Sequence, residues 1–307
     1  MSHGILAATD FSAASRHAID RAGRLAGELG CPLHLAHAIA PGLFDDIQRL
    51  LAPDAPPISV TLGNDASRQL QAIAGELARI GQVAADYRVI FGKPVDALYE
   101  QAEASDADLL VVGSRGEDFL RQLTIGSTAM RLLRKTQRPT LVVKRPVAGP
   151  YRRALVAMDF SPAALAALRL ARRIAPGAEI VLLHVVEIPF ERKMRYAGVN
   201  NDVIEQYRAE AQIKAMRQLR ELVGNERLPA ATTRLSAPSG NPTGLILEQV
   251  DVQDCDLIVA GKRGMHIVEE LLLGSTTKHL LIEAETDILI ASAGHESADG
   301  ANYSPGN

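Results

Sequence analysis

The sequence predicts an α/β protein built from two repeated, doubly wound domains. Three observations carry this. First, the chain is 307 residues long, 47% hydrophobic and 22% charged, enough for two domains of roughly 150 residues, each with its own core. Second, the stretch GSRGEDFLRQLTIGST (113–128) returns as GKRGMHIVEELLLGST (261–276), 148 positions later. Both read G-x2-G-x9-G-S-T. Third, short apolar runs alternate with helix-like stretches through both halves, the rhythm of β-α-β units with right-handed crossovers.

The repeat extends well beyond the glycines. ILAATDFS (5–12) pairs with LVAMDFS (155–161), and LHLAHAI (33–39) with VLLHVVE (181–187). FGKPVDALYEQA (91–102) pairs with SGNPTGLILEQV (239–250), and ADLLVVG (107–113) with CDLIVAG (255–261). RPTLVVK (138–144) and TDILIAS (286–292) close the two halves. This conserved order points to duplication of one domain, giving domains over 1–146 and 152–293. The tail, 294–307, is rich in Gly, Ser and Asn and is expected to be disordered.

Within the first half, the runs 5–9, 33–39, 84–90, 108–112 and 139–143 are nearly continuous apolar segments. That is the pattern of strands buried on both faces. In 14–29, Ala18, Ala22, Leu25 and Leu29 recur at helical spacing. Ser12 suits its N-cap, and Pro162 suits the first turn of the counterpart helix. Residues 202–223 place Ile204, Tyr207, Ala211, Ala215, Leu219 and Leu222 on one face. The proline-rich segment 41–63 reads as irregular cover, and 188–200 has no clear pattern.

Several function classes are excluded. A net charge of -3 argues against a nucleic-acid footprint, as does an aromatic share of 4% without Trp. No apolar run reaches the ~18–20 residues of a membrane span, and the N-terminus does not read as a secretory signal. Two cysteines, Cys31 and Cys255, each just ahead of a strand, suggest packed thiols rather than disulfides or a metal site. A cytoplasmic location is the expectation. His3, His17, His34 and His37 cluster in sequence without metal-ligand spacing. His37 and His184 read as late-strand core histidines.

The glycines stand directly after the fourth strand of each half, where open α/β sheets bind ligands. Gly113 and Gly116 permit a tight turn and close backbone approach. Gly126, Ser127 and Thr128 precede a helix whose free N–H groups suit a phosphate. Gly261, Gly264, Gly274, Ser275 and Thr276 repeat the arrangement. It is neither a Walker A loop nor G-x-G-x-x-G. Helix caps and turn glycines are the bland alternative. Arg115, Lys262 and Arg263 lie inside these cradles, either as phosphate partners or as solvated loop charges. No Ser-His-Asp or Cys-His constellation can be assembled.

On these residues the sequence resembles the universal stress protein family in tandem form, and the G-x2-G-x9-G-[ST] signature is similar to that of its ATP-binding branch. The resemblance covers about 290 residues. It implies a five-stranded parallel sheet per domain with helices on both faces. It implies that Asp10 and Asp159 contact the adenosine part of ATP. N-capping is the other reading of these carboxylates, though Ser12 and Ser161 can cap instead. Ala38 and Val185 fall on the adenine contact, and the glycines and serines on the phosphate contacts. Ala38 is smaller than the aliphatic residue usual there, which loosens the first pocket.

Mg2+ is expected alongside the triphosphate. The two repeats are expected to pair about a pseudo-twofold axis through their last strands, with pairing of whole chains into a homodimer left open. The function so implied is an ATP-binding stress-response sensor or regulator with one site per repeat, not a dedicated enzyme. The alternatives are a slow ATPase switch and an interaction protein with vacant nucleotide sites.

Overall fold

The computed structural model describes residues 4–40, 58–80, 83–114, 125–188, 191–262 and 273–292, without the side chains of 191 and 192. The chain divides into two compact units, Met1–Pro150 and Tyr151–Asn307.

In the first unit the elements run β1 Ile5–Ala8, α1 Ala13–Leu29, β2 Leu33–Ile39, α2 Ile58–Arg79, β3 Ala85–Phe91, α3 Pro94–Ala104, β4 Leu109–Gly113, α4 Ser127–Lys135 and β5 Thr140–Val143. The strand order is β3-β2-β1-β4-β5, all parallel. Strands β1 and β5 are buried along their whole length, as apolar runs covered on both faces must be. Edge strand β3 is the exception, with Tyr87 and Phe91 exposed. Helix α1 packs on β1, β4 and β5, α2 on β2 and β3, and α3 against α4.

Local chemistry sets the helix ends. Ser12 caps α1 by accepting from the Ser15 N–H, and Gly30 closes it in the left-handed conformation, φ 61°. Ala18, Ile19, Ala22, Leu25 and Ala26 form the buried stripe, while Leu29 at the last turn is half-buried.

The expected irregular cover over 41–63 is wrong for its last residues, since Ile58–Gly63 is the first part of α2. No proline lies between Pro57 and Pro94, so none interrupts the helix upstream of its buried Ala66, Leu70, Ala74 and Leu77. Residues 41–57 lie outside those described, as does the tail 294–307.

The second unit repeats the plan: β6 Arg153–Ala157, α5 Pro162–Ile174, β7 Glu179–Leu183, α6 Glu191–Tyr196, α7 Asn201–Asn225, a 3-10 turn Ala230–Thr232, β8 Thr233–Ser236, α8 Pro242–Val252, β9 Leu257–Gly261, α9 Ser275–Glu283 and β10 Asp287–Ala291. The order is β8-β7-β6-β9-β10, again parallel. Ser161 caps α5 with Pro162 in its first turn, as expected. In α7, Ile204, Ala215, Leu219 and Leu222 are buried, but Tyr207 is 51% exposed. The helix is 25 residues long and packs on β8, a strand of only 4 residues. At ~1.5 Å rise per residue against ~3.3 Å, the helix is far longer than the strand.

In each unit the strand order reverses beside the first strand. The second strand lies on one side of it and the fourth on the other, which opens a crevice at their carboxyl ends.

Candidate functional site

At the crevice of the second unit lies a cleft of about 480 Å3. That is within the range of small-molecule sites. Its wall brings together Asp159 from the β6–α5 turn, Val185 just beyond β7, Gly261 at the end of β9, and Gly274, Ser275 and Thr276 at the start of α9. These residues span more than a hundred positions of sequence and converge only because parallel strands deliver them to one end of the sheet. In the first unit Asp10, Ala38, Gly113, Gly126, Ser127 and Thr128 occupy the corresponding places around β1, β2, β4 and α4. Gly116 and Gly264, with Arg115 and Arg263, lie outside the described residues.

The glycines have different reasons for being there. A Cβ on Gly113 would sit 2.8 Å from the Ala14 carbonyl carbon and oxygen, and one on Gly261 would sit 2.9 Å from the Ala163 Cβ. Helix α1 or α5 therefore crosses the strand end at a distance only glycine allows. Gly126 and Gly274 are different. Each is the N-cap of its helix, at φ -59° and ψ 146° or φ -58° and ψ 149°, a conformation open to any residue. Each N–H is held by the strand end, to Ser114 O at 2.7 Å or Lys262 O at 3.0 Å. Neither supplies a capping side chain, whereas Ser12, Ser161, Asn200 and Asn241 cap their helices with one. A helix start without a capping side chain, opening onto a cleft, presents N–H groups and the positive end of the helix dipole.

The strand-one aspartates are not free carboxylates. Asp10 Oδ1 accepts from the Ser12 N–H at 3.1 Å and its hydroxyl at 2.6 Å, and Asp159 Oδ1 accepts from the Ser161 N–H at 3.0 Å. Serine does cap each helix, as the sequence allows, and it also donates back to the aspartate. Between them, Phe11 and Phe160 adopt φ 63° and 62°. A bulky side chain in the left-handed region costs roughly 1–2 kcal/mol, so this turn is held by its surroundings.

The histidines are not core residues. His37 and His184 are half-buried, and His184 lines the cleft. They stand at the carboxyl ends of β2 and β7, where the sheet opens. Lys262 is not a solvated charge either. It is 2% exposed, and its backbone continues the strand, the N–H donating to Ala291 O at 2.6 Å. Cys31 and Cys255 are packed thiols, and burial raises both, Cys255 to about 12.

Sequence reasoning missed Met158, Glu187, Ile246, Thr277 and Leu280 in the cleft wall. Thr277 donates to Gly261 O at 2.9 Å and so ties α9 to the end of β9. Its position one residue past the Ser-Thr pair was the available signal. Pro242 lay within the repeated G-x-P motif, which marked it as structural. Among the described residues no group of carboxylates, histidines or cysteines is arranged to hold a metal ion, and no helix is long and apolar enough to cross a membrane.

A repeated doubly wound unit with this crevice defines a class, and the comparisons with known proteins agree with it. The universal stress protein family matches residues 1–144 and again 150–292, so the chain belongs to that family, in tandem form. Universal stress protein Rv2005c of Mycobacterium tuberculosis is 25% identical over 245 residues, 74% of this chain and 77% of that one. Universal stress protein MJ0577 of Methanocaldococcus jannaschii is 30% identical over 84 residues, 27% of this chain and about half (51%) of the relative's length. The crystal structure of a universal stress protein from Archaeoglobus fulgidus superposes with a TM-score of 0.70 at 21% identity, covering 96% of this chain and all of that one.

Proposed function

We propose that this protein is a nucleotide-binding stress-response regulator that takes ATP in each repeat. The observation that carries the reading is the α9 N-terminus: Gly274 supplies no capping side chain and lies on the wall of the cleft. Ser275 and Thr276 add hydroxyl donors beside its N–H groups. In this reading the phosphates meet the start of α9, where backbone dipoles favour negative charge. The adenosine half lies toward Asp159 and Val185. The first repeat binds in the same way through Asp10, Ala38, Gly126, Ser127 and Thr128, more weakly because Ala38 fills less of the adenine pocket.

Mg2+ would be carried by the phosphates, and Asp159 and Glu187 are the carboxylates of the described wall. The cleft suits binding more than turnover. Its described wall offers Asp159, His184 and Glu187 as titratable groups, and Asp159 and His184 are already engaged with the backbone. Mass spectrometry of the small molecules released from protein purified without added ligand tests the reading. Adenine nucleotide at up to two per chain is expected. Its absence, together with no binding of added ATP, would refute the proposal. Competition against a labelled ATP analogue should favour ATP over GTP.

A further inference from the structure

We propose that His184 and His37 are positioning residues that set the spacing between the two backbone segments facing the adenosine half of the nucleotide. The inference rests on the nucleotide reading above and gives a part in that site to two histidines which that reading leaves without a role.

In the second unit, strands β6 and β7 pair up to Ala157 and Leu183. The ladder gains one more rung when the Met158 N–H donates to Leu183 O at 2.8 Å. There the strands part. The first chain turns through Phe160 into α5, while the second continues toward its other neighbour, with the His184 N–H donating to Ser236 O at 3.0 Å. The next link is made by a side chain: His184 Nδ1 lies 2.8 Å from Met158 O. A carbonyl oxygen only accepts, so Nδ1 carries the proton and the tautomer is fixed. The Phe160 ring packs on the imidazole, with centroids 4.8 Å apart and planes 43° apart.

Asp159 is thus held on both sides by one imidazole, through the carbonyl before it and the ring after it. Val185 is the residue that follows this histidine. A shift of the imidazole changes the distance between Asp159 and Val185. The left-handed phenylalanine has its reason here, since the turn that strains it also lays its ring on the histidine. The first unit repeats each part. The Thr9 N–H donates to Ala36 O at 2.9 Å, His37 Nδ1 lies 2.8 Å from Thr9 O, and Phe11 packs on His37 at 4.4 Å. Asp10 and Ala38 are flanked in the same way.

The test makes paired substitutions in the full chain, so that both sites change together. His37→Phe with His184→Phe keeps a ring against phenylalanine and removes the donor. His37→Asn with His184→Asn keeps a donor near the Nδ1 position and removes the ring. Calorimetric titration with ATP and with AMP reads the outcome, and thermal unfolding shows that each variant is folded.

The phenylalanine variant should lose about tenfold in affinity for both nucleotides, the loss expected for one hydrogen bond that orients a site. The asparagine variant should recover most of it. Wild-type affinity in the folded phenylalanine variant, a loss confined to ATP, or no recovery with asparagine would each overturn the proposal. If the phenylalanine variant does not fold, His37→Leu with His184→Leu takes its place, since leucine is close to asparagine in size and shape but has no donor. It should bind more weakly than the asparagine variant, and the reverse order overturns the idea. Wild-type protein that binds neither ATP nor AMP would instead sink the nucleotide reading, and this proposal with it.

Discussion

The Tyr151 hydroxyl donates to the Asp287 carboxylate at 2.7 Å, with both residues almost fully buried. The bond ties the segment entering β6 to the first residue of β10. Tyr151→Phe removes the donor and leaves a buried carboxylate oxygen with one partner fewer. The expected cost is about 1–3 kcal/mol, read as a lower urea midpoint with unchanged slope. A change below about 0.5 kcal/mol, the scatter of ordinary surface substitutions, would show that this bond adds nothing net.

Gly126→Val and Gly274→Val separate binding from folding. The backbone at both positions suits any residue, so each variant should fold. The added β-branched side chain would crowd the N–H groups offered to phosphate. Titration of nucleotide-free wild type should give about two sites, and either variant about one. Single-site binding in wild type, abolished by only one of the two substitutions, would show that one repeat does not bind.

Gly113→Ala and Gly261→Ala should act on stability first. The new Cβ would meet the Ala14 backbone or Ala163 at under 3.0 Å. Overpacking of this kind costs about 1–3 kcal/mol. Chemical denaturation at saturating and at zero nucleotide should show the loss in both conditions. A variant as stable as wild type would mean that α1 or α5 shifts freely away from the strand.

The two histidine clamps should differ in weight. Thr9 holds its turn a second time, because its hydroxyl accepts from the Phe11 N–H at 3.0 Å and bonds the Ser15 hydroxyl at 2.9 Å. Met158 has no hydroxyl to offer. His184→Phe alone should therefore weaken its site more than His37→Phe weakens the other. Equal losses would show that the threonine bonds do not share the task.

Cys255 should resist alkylation in the native protein at pH 8 and react on unfolding. Burial raises its thiol to about 12, against an ordinary value near 9.0. Between these values the unfolded chain has released this proton and the folded chain has kept it. The contribution is fully present below about pH 9 and is lost as pH rises toward 12. Cys255→Ser, whose hydroxyl does not titrate in this range, should flatten the decline of stability above pH 9. An unchanged slope would assign the decline to other groups.

The strands were legible because burial on both faces leaves runs such as LLVV with no polar residue to blur them. Ser12 and Ser161 were legible because capping is local. The convergence of Asp159, Val185, Gly261 and Gly274 followed from strand order once the repeat was seen. The failures were tertiary. Tyr207 has helical spacing yet is exposed, and periodicity alone does not report which positions of a long helix meet a neighbouring element. The histidines were misread because a His late in an apolar run looks like core. Only the divergence of two strands gives it a carbonyl to bind. Lys262 reads as either a phosphate partner or a solvated loop charge, because a lysine just after a glycine at a strand end suits both and neither pattern signals burial.

The close crossing at Gly113 and Gly261 bears on how such a duplicated chain would age. A copy that stopped binding would still need its first glycine, since the helix above would not tolerate a methyl group. The cap glycine is under no such constraint, and a serine or aspartate there would strengthen the helix. In a decaying copy the third glycine of the signature should therefore be lost first, with the first persisting as a fossil of packing. Among relatives of this chain, the residue at the place of Gly126 or Gly274 should report whether a repeat still binds, and the residue at the place of Gly113 or Gly261 only whether it still folds.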